Sequence, residues 1–508
     1  MMNIEAKVKI AVIDDGINEY LLGEPVVQQL IFNEDFTIDA YTIDSPERIT
    51  HGTICAGIIK HYYPEIYMYS LKILSDTLRG NIQKLYSALE WCIQNDIQVV
   101  NISLGSHCSA DLLETQRVIN KVAGQGLVIV SAASNHDYIT YPASFSNVIG
   151  VKREVSNTLH EGEFYLNDDI IDGIEFTAFA RHHLNGKECS NSNSFAAPMI
   201  TAKVCELIGK SHLTNLQQIK LMLSKMANNY RDDKHLSIYY ADPDWISDIL
   251  VCYVNGKCKL DNRNLCVNIH GEIVVPAESA YDAVDAALLA YKENIETLVV
   301  ISRDLYPDAY VELQWIASKY NKNVVFIDNY QGKDMNEIVN NQCTNIKLWH
   351  SLFKIHNIYT LNSTPLLIEE PMVSIYIPAD TDFEVILWLK GQFKNNNYNS
   401  YFASNHPIGV LYGIDYVPET NSAQTSSYFS LILNKKSYDI AIYVLYGYDI
   451  SDKIETDIEI DIDIEPLNGY FQATFAVNGL CKERIINIKQ IDETFIGELY
   501  NSIVYLLS

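Results

Sequence analysis

Short, mostly apolar runs alternate with segments of helical spacing through the first 235 residues. The runs are Val8–Ile13, Ile66–Ile73, Ile97–Ser103, Leu127–Ala132 and Val148–Val151. A strand apolar on both faces needs cover above and below, so these runs predict a parallel sheet sandwiched by helices. Asn81–Asn95 and Leu112–Ala123 have the helical period, and the second is stopped by Gly124 and Gly126.

Beyond residue 245 the pattern changes. Ile249–Val254 and Lys257–Leu260 flank Asn255–Gly256, a two-residue hairpin signal. A compact α/β stretch follows, with helices at Tyr281–Lys292 and Ala309–Lys319 and strands at Thr297–Ser302 and Asn323–Asp328. It has no G-x-G-x-x-G or P-loop, so no nucleotide site is predicted there. From about residue 365, alternating Tyr, Ile and Val segments predict an antiparallel sheet. No internal repeat is present. The expected organisation is α/β throughout residues 1–240, a small α/β domain at 245–345, and an α+β domain with an antiparallel sheet at 360–508.

One strand stands apart. In the segment 454–465, Ile454, Ile458, Ile460, Ile462 and Ile464 share a face with Thr456, while Glu455, Asp457, Glu459, Asp461, Asp463 and Glu465 fill the other. Strict alternation means one buried face and one row of carboxylates. Same-face neighbours stand ~6.6 Å apart, too far for adjacent pairs to grip one ion unaided. The row is expected on a solvated or edge face, where charge blocks aggregation, or as a dock for a Lys/Arg-rich peptide.

Composition narrows the classes. With 48% hydrophobic and 20% charged residues the chain is globular, not disordered or collagen-like. Its net charge of −27 argues against binding nucleic acid or an anionic membrane surface. Residues 1–235 carry 28 acidic against 19 basic side chains, and the remainder 36 against 18, so the second half is the more acidic. No run approaches the ~20 apolar residues of a membrane span, and the N-terminus lacks a secretory pattern. The 10 Cys form no C-x-x-C pair, which leaves zinc and redox sites unsupported and fits a reducing cytoplasm.

The chemistry gathers in the first half. Asp14 ends the strand VKIAVID, His51 in Thr50-His51-Gly52-Thr53 opens a helical run, and Ser194 in Ser192-Asn193-Ser194-Phe195 opens another. In an α/β sheet, functional residues collect beyond the carboxyl ends of the strands. A hydroxyl, an imidazole that takes its proton and a carboxylate that fixes the imidazole tautomer are the requirements of nucleophilic acyl transfer. Taken singly, Asp14 equally suits a turn, His51 a helix start and Ser194 an N-cap. Jointly, the order Asp–His–Ser is one of the known orders of that triad.

These segments resemble the subtilisin-like serine proteases, the subtilases. AVIDDGI matches the Asp motif, HGTICAGII the His motif and SNSFAAPMITA the Ser motif; VVNISLGS and SAASN followed by YPASFSNVIGV match the intervening strands. The resemblance covers residues 8–235 and implies a subtilisin-like fold there. It implies that Ser194 is the nucleophile, His51 the general base and acid, and Asp14 the orienting carboxylate. Asn135 would donate to the oxyanion together with the Ser194 backbone N–H. Ser103, Leu104 and Gly105 would pair with an extended substrate. Ser131, Ala132, Ala133 and Ser134 would form the facing wall of the pocket for the residue before the cut.

The sequence departs from the family at Ser192–Asn193, normally Gly-Thr, at Ser134 before the oxyanion Asn, and at Thr140, often Gly. If Thr140 lines the pocket, the pocket is shallow. His182–His183, in a polar loop, are expected to be solvated. Asp14 lies too near the start for the usual folding prosegment to precede it. No cofactor or metal is implied: subtilases often bind calcium, but no D-x-D-x-D-G loop is present.

The expected function is a cytoplasmic serine endopeptidase, a selective processor of a precursor or leader peptide, with a basic peptide as the partner suggested by charge. Two alternatives stay open: a protease fold that binds or regulates without cutting, and a ligase or macrocyclase using the same acyl-enzyme.

Overall fold

The structure, a computed structural model, describes residues 7–43, 45–75, 77, 79–167, 171–184, 187–231, 243–256, 260–262, 264–276, 280–302, 305, 307–328, 346–352, 367–379, 381–418, 422–447, 454–464, 471–477, 480–481, 486–488 and 492–507. The chain divides into two compact units, Met1–Tyr239 and Tyr240–Ser508.

The first unit is built on a nine-stranded sheet: β1 (Val8–Asp14), β2 (Gln28–Phe32), β3 (Ile38–Ala40), β4 (Ile66–Lys72), β5 (Val99–Ile102), β6 (Val128–Ala132), β7 (Ile149–Arg153), β8 (Phe164–Leu166) and β9 (Phe176–Ala178). Its order is β3-β2-β4-β1-β5-β6-β7-β9-β8, and β10 (His183–Leu184) and β11 (Lys187–Glu188) form a separate antiparallel pair. All neighbours in the nine-stranded sheet are parallel except the pairs at the two edges, β2 with β3 and β8 with β9. The apolar runs read from the sequence are the central strands.

The sheet is covered on both faces. α1 (Glu19–Leu22) is a single turn; α2 (His51–Tyr62), α3 (Ile82–Gln94), α4 (Ser109–Gly124), α5 (Asn193–Ser211) and α6 (Leu216–Met226) do the covering. Val8, Ile10 and Val12 of β1 pack with α2, α5 and α6, while Ala11 and Ile13 pack with α3 and α4. Alternate residues of one strand thus serve two cores, which is why β1 is apolar on both faces apart from Lys9 and the terminal Asp14.

The second unit holds two sheets. β12 (Asp248–Val254), β13 (Asn268–Val275), β14 (Thr297–Ser302), β15 (Asn323–Ile327) and β16 (Leu348–His350) form a wholly parallel sheet in the order β13-β12-β14-β15-β16. The hairpin expected at Asn255–Gly256 is corrected. Those two residues do turn with positive φ, but β12 pairs in parallel with β13 and β14, and residues 257–259 lie outside the described ones. A turn dipeptide sets a local reversal; it does not choose the partner of a strand buried on both faces.

The second sheet contains β17 (Met372–Ile377), β18 (Ser400–Ser404), β19 (Asp415–Tyr416), β20 (Ile440–Tyr446), β21 (Ile458–Ile464), β22 (Phe471–Val477), β23 (Leu480–Cys481) and β24 (Ile486–Ile488). The expected antiparallel arrangement holds only from β21 to β24; β19, β18, β20, β17 and β21 are parallel neighbours. Met372–Ile377 and Ile440–Tyr446 are buried at every position, and strands of that kind need crossover helices on the sheet faces. Glu384–Asn395 and Ser422–Leu433 lie between consecutive parallel strands in the chain. One apolar cluster joins the two sheets of this unit, from Trp245 and Val299 to Ile460 and Ile503.

The acidic strand is β21, and its expected place at a sheet edge is also corrected: it pairs with β17 on one side and β22 on the other. Ile458, Ile460 and Ile462 are in the core, and Glu459 and Asp461 are half-buried on the opposite face. The side chains of Asp463 and Ile464 and all of Glu465 lie outside the described residues. No helix among the described residues is long and apolar enough to cross a membrane.

Truncating Ile460, which is fully buried, removes methyl groups from the middle of that cluster. Ile460→Ala should cost about 2–5 kcal/mol, seen as a lower urea midpoint; an unchanged midpoint would contradict the packing.

Candidate active site

Asp14 is the last residue of β1 and is 1% exposed. A carboxylate at that depth requires hydrogen bonds. Its Oδ1 accepts the Asp15 N–H at 2.8 Å, and its Oδ2 lies 2.8 Å from His51 Nδ1. An Nδ1–H facing the carboxylate leaves Nε2 as the basic nitrogen.

His51 reaches Asp14 because the first turn of α2 is tied to the turn after β1. Thr50 is the N-cap and accepts from Thr53 N, while its Oγ1 donates to Gly16 O at 2.7 Å. Asp15 accepts His51 N at 3.1 Å and Gly52 N at 2.8 Å. Three amides that a helix start leaves without intrahelical partners are thereby satisfied. The approach demands glycine at 52, where a Cβ would stand 2.6 Å from the Gly16 carbonyl. Burial raises the carboxyl pKa of Asp15, its donors Gly52 and His51 opposing the shift.

Ser194 is the second residue of α5 and is half-buried. Pro198 lies four residues on and has no N–H, so it cannot close the helical hydrogen bond to the Ser194 carbonyl. Ser103 Oγ donates to that carbonyl at 3.2 Å and Cys55 Sγ at 3.5 Å. Ser103 Oγ in turn accepts from Asn101 Nδ2, and Asn101 Oδ1 accepts from Thr201 Oγ1. The ring of Phe195 stacks on His51 at 5.2 Å. Asp14, His51 and Ser194 thus share one neighbourhood at the carboxyl ends of β1 and β5.

Asn135 follows β6. Its Oδ1 accepts the Asn193 N–H at 3.0 Å, so its NH2 is the donor end left for a ligand. Asn193 is buried and clamps this loop: its Nδ2 donates to Ala133 O and Ser134 O, and its Oδ1 accepts from Arg153 N. Asn193 therefore builds a brace between the loop after β6, β7 and the start of α5.

Of the expected substrate-contacting residues, Ser103 and Leu104 are half-buried and Gly105 is exposed. Ser131 and Ala132 are buried inside β6, so the accessible wall begins at Ala133 and Ser134. Thr140 is buried, with its methyl against Gly105: a Cβ there would be 2.5 Å from Thr140 Cγ2.

Two residues carry more than their sequence context suggests. Cys55, one helical turn beyond His51, lies 3.9 Å from both His51 Nδ1 and Asp14 Oδ2. The i, i+4 spacing was the available signal. Asp14, His51 and Cys55 offer ligand atoms within 4.8 Å of one another, though a soft cation there would have to displace the Asp14–His51 hydrogen bond. His182, expected to be solvated, is buried: its Nε2 lies 2.9 Å from Phe195 O, and its Nδ1 is 3.1 Å from Tyr62 OH. His183 is exposed.

The two buried rings shift oppositely. Burial opposes protonation of His51, while the Cys55 sulfur and the Asp14 carboxylate favour it, and the net direction is upward from 6.5. Burial raises the Cys55 thiol, which leaves Asp14 as the charge sustaining the His51 shift at neutral pH. Burial lowers His182 to about 4, against the pull of the Phe195 carbonyl and Glu161.

By linkage, the contribution of His51 to stability is present below its unfolded pKa of about 6.5 and lost as pH rises through its higher folded value. That of His182 is present above about 6.5 and lost as pH falls toward its folded value. An NMR titration should find His51 above about 6.5 and His182 well below it. Asp14→Asn should lower His51 alone; a wild-type His51 titrating below 6.5 would contradict the geometry.

Residues 5–239 match the model of the Peptidase S8 subtilase family. Subtilisin DY of Bacillus licheniformis is 26% identical over 249 residues, covering 46% of this chain and 87% of its own length. The minor extracellular protease Epr of Bacillus subtilis (strain 168) is 31% identical over 183 residues, 34% of this chain and 26% of Epr. The crystal structure of a lanthipeptide protease aligns with a TM-score of 0.37 and 20% identity, over 45% of this chain and 83% of that one. Over residues 5–239 this chain belongs to the subtilase family.

Proposed function

We propose that the protein is a serine endopeptidase that cuts peptide bonds through an acyl-enzyme. The observation that carries this is the buried Asp14 carboxylate 2.8 Å from His51 Nδ1, with Ser194 in the same cluster. Ser194 Oγ attacks the scissile carbonyl carbon and His51 Nε2 takes its proton. The imidazolium, held by Asp14, returns that proton to the leaving amine, and water releases the acyl group by the reverse path. Asn135 NH2 and the Ser194 N–H stabilise the oxyanion.

The brace formed by Asn193 supports an intact site over a decayed one, because four hydrogen bonds from the residue beside Ser194 fix Asn135 and its loop. The contact of Thr140 with Gly105 supports a shallow pocket that takes a small side chain before the cut. We further propose a selective processing protease of a reducing cytoplasm whose substrate is a basic peptide. The net charge of −27 and the half-buried acids of β21 support the last point.

Casein and basic peptides incubated with the protein should be cut, and Ser194→Ala should lower kcat by about 10⁶-fold. A fluorophosphonate should label wild type at Ser194. Failure to label, together with equal rates for wild type and mutant, would sink the proposal.

Thr140→Gly should deepen the pocket. It is expected to raise kcat/KM for Leu or Phe before the cut, relative to Ala, by about 10–100-fold. An unchanged ratio would remove Thr140 from the pocket floor.

A further inference from the structure

Lys220 lies on α6 among core residues such as Ile219 and Leu223, and it is 1% exposed. Its Nζ stands 2.5 Å from Glu175 Oε1, just ahead of β9, and donates to the Ser146 carbonyl at 2.8 Å. Two charges taken out of water gain little net stability from one another, and an apolar pair of similar volume often does as well. What an apolar pair cannot supply is a directed donor to Ser146.

Ser146 belongs to a tight turn. Ser144 N donates to Thr140 O at 2.9 Å, Phe145 N to Pro142 O at 3.0 Å and Val148 N to Phe145 O at 2.9 Å. The Ser144 hydroxyl accepts from Thr140 N, and Asn147 Nδ2 donates to Asn120 Oδ1. Behind the turn, Gly173 comes so close that a Cβ would stand 2.2 Å from Ser144 O. In front, Tyr141 exchanges backbone hydrogen bonds of 2.8 and 2.9 Å with Ser106, and Thr140 rests on Gly105. The turn is thus a short rigid strut between a buried ammonium and the Ser103–Ser106 segment.

We propose that Lys220 is a positioning residue for the substrate pocket, an internal cation that holds the turn Thr140–Val148 and so sets the height of the Thr140 floor. This rests on the protease reading. Lys220 touches no reacting atom, so its loss should act on substrate fit rather than on acyl transfer.

Lys220→Met alone strands the Glu175 carboxylate and is expected to fold poorly. The test is therefore the charge-neutral pair Lys220→Met with Glu175→Gln, compared with wild type. Hydrogen exchange should accelerate about tenfold or more across residues 140–148 and not across β1 or β5. On short peptides KM should rise about tenfold with kcat within about twofold, and the preference for Ala over Leu before the cut should fall. Unchanged exchange in 140–148 overturns the proposal, as does unchanged KM and preference in a protein whose Ser194 still takes a fluorophosphonate. If wild type takes no fluorophosphonate, the protease reading fails separately and exchange alone decides whether Lys220 holds the turn.

Discussion

A charge at the end of an apolar strand sets the terms for the first unit. Asp14 sits where β1 leaves the sheet, under α2, almost out of contact with water. Removing the partner of such a buried charge costs about 3–5 kcal/mol, a large share of the ~5–15 kcal/mol by which domains are stable. The partner is the ring of a residue 37 positions away, and to deliver it the start of α2 must press against the turn that follows β1. Glycine at 52, the carboxylate of Asp15 and the hydroxyl of Thr50 all serve that approach. The same contacts that make the charge tolerable also fix the orientation of the imidazole, so the stability of the buried charge and the proposed chemistry ask for one geometry.

The parts that were legible in the sequence are those fixed by short-range pattern. Apolar runs bounded by polar residues marked β1, β5 and β6, and Asp14, His51 and Ser194 could be placed at element ends because the period changes there. What could not be read depends on partners far along the chain. His182 sits between Arg181 and His183 and reads as loop; it is buried because Tyr62 and the Phe195 carbonyl close around it. Cys55 reads as a small core residue; its nearness to Asp14 and Ser194 comes from the meeting of α2 with β1 and α5.

In the second unit, individual strands were found more readily than their neighbours. The apolar runs Thr297–Ser302 and Asn323–Asp328 mark their strands to within a residue, whereas Asn268–Val275, an edge strand with a half-exposed pattern, carries no such signal. Tyrosine-rich segments such as Ile440–Tyr446 imitate the alternation of a half-solvated strand, because a tyrosine can be buried by its ring. Here Tyr443 is buried and its hydroxyl donates to the Val417 carbonyl. Direction and order in a sheet depend on what covers both faces, and a local pattern does not record that. The same holds for β21, whose carboxylates read as an edge device and lie on an internal strand.

Pro198 has a consequence for how motion reaches Ser194. In an ordinary helix the carbonyl of the second residue is part of the i to i+4 ladder, so bending or fraying of the helix is passed directly to it. Here that rung is missing, and the Ser194 carbonyl is held by Ser103, just after β5, and by Cys55 from α2. The first turn of α5 is thereby tied at Ser194 to the segment after the central strand β5 and to α2 as well as to its own helix. A shift of the segment that follows β5 is therefore felt at the Ser194 carbonyl through Ser103, and a shift of α2 through Cys55.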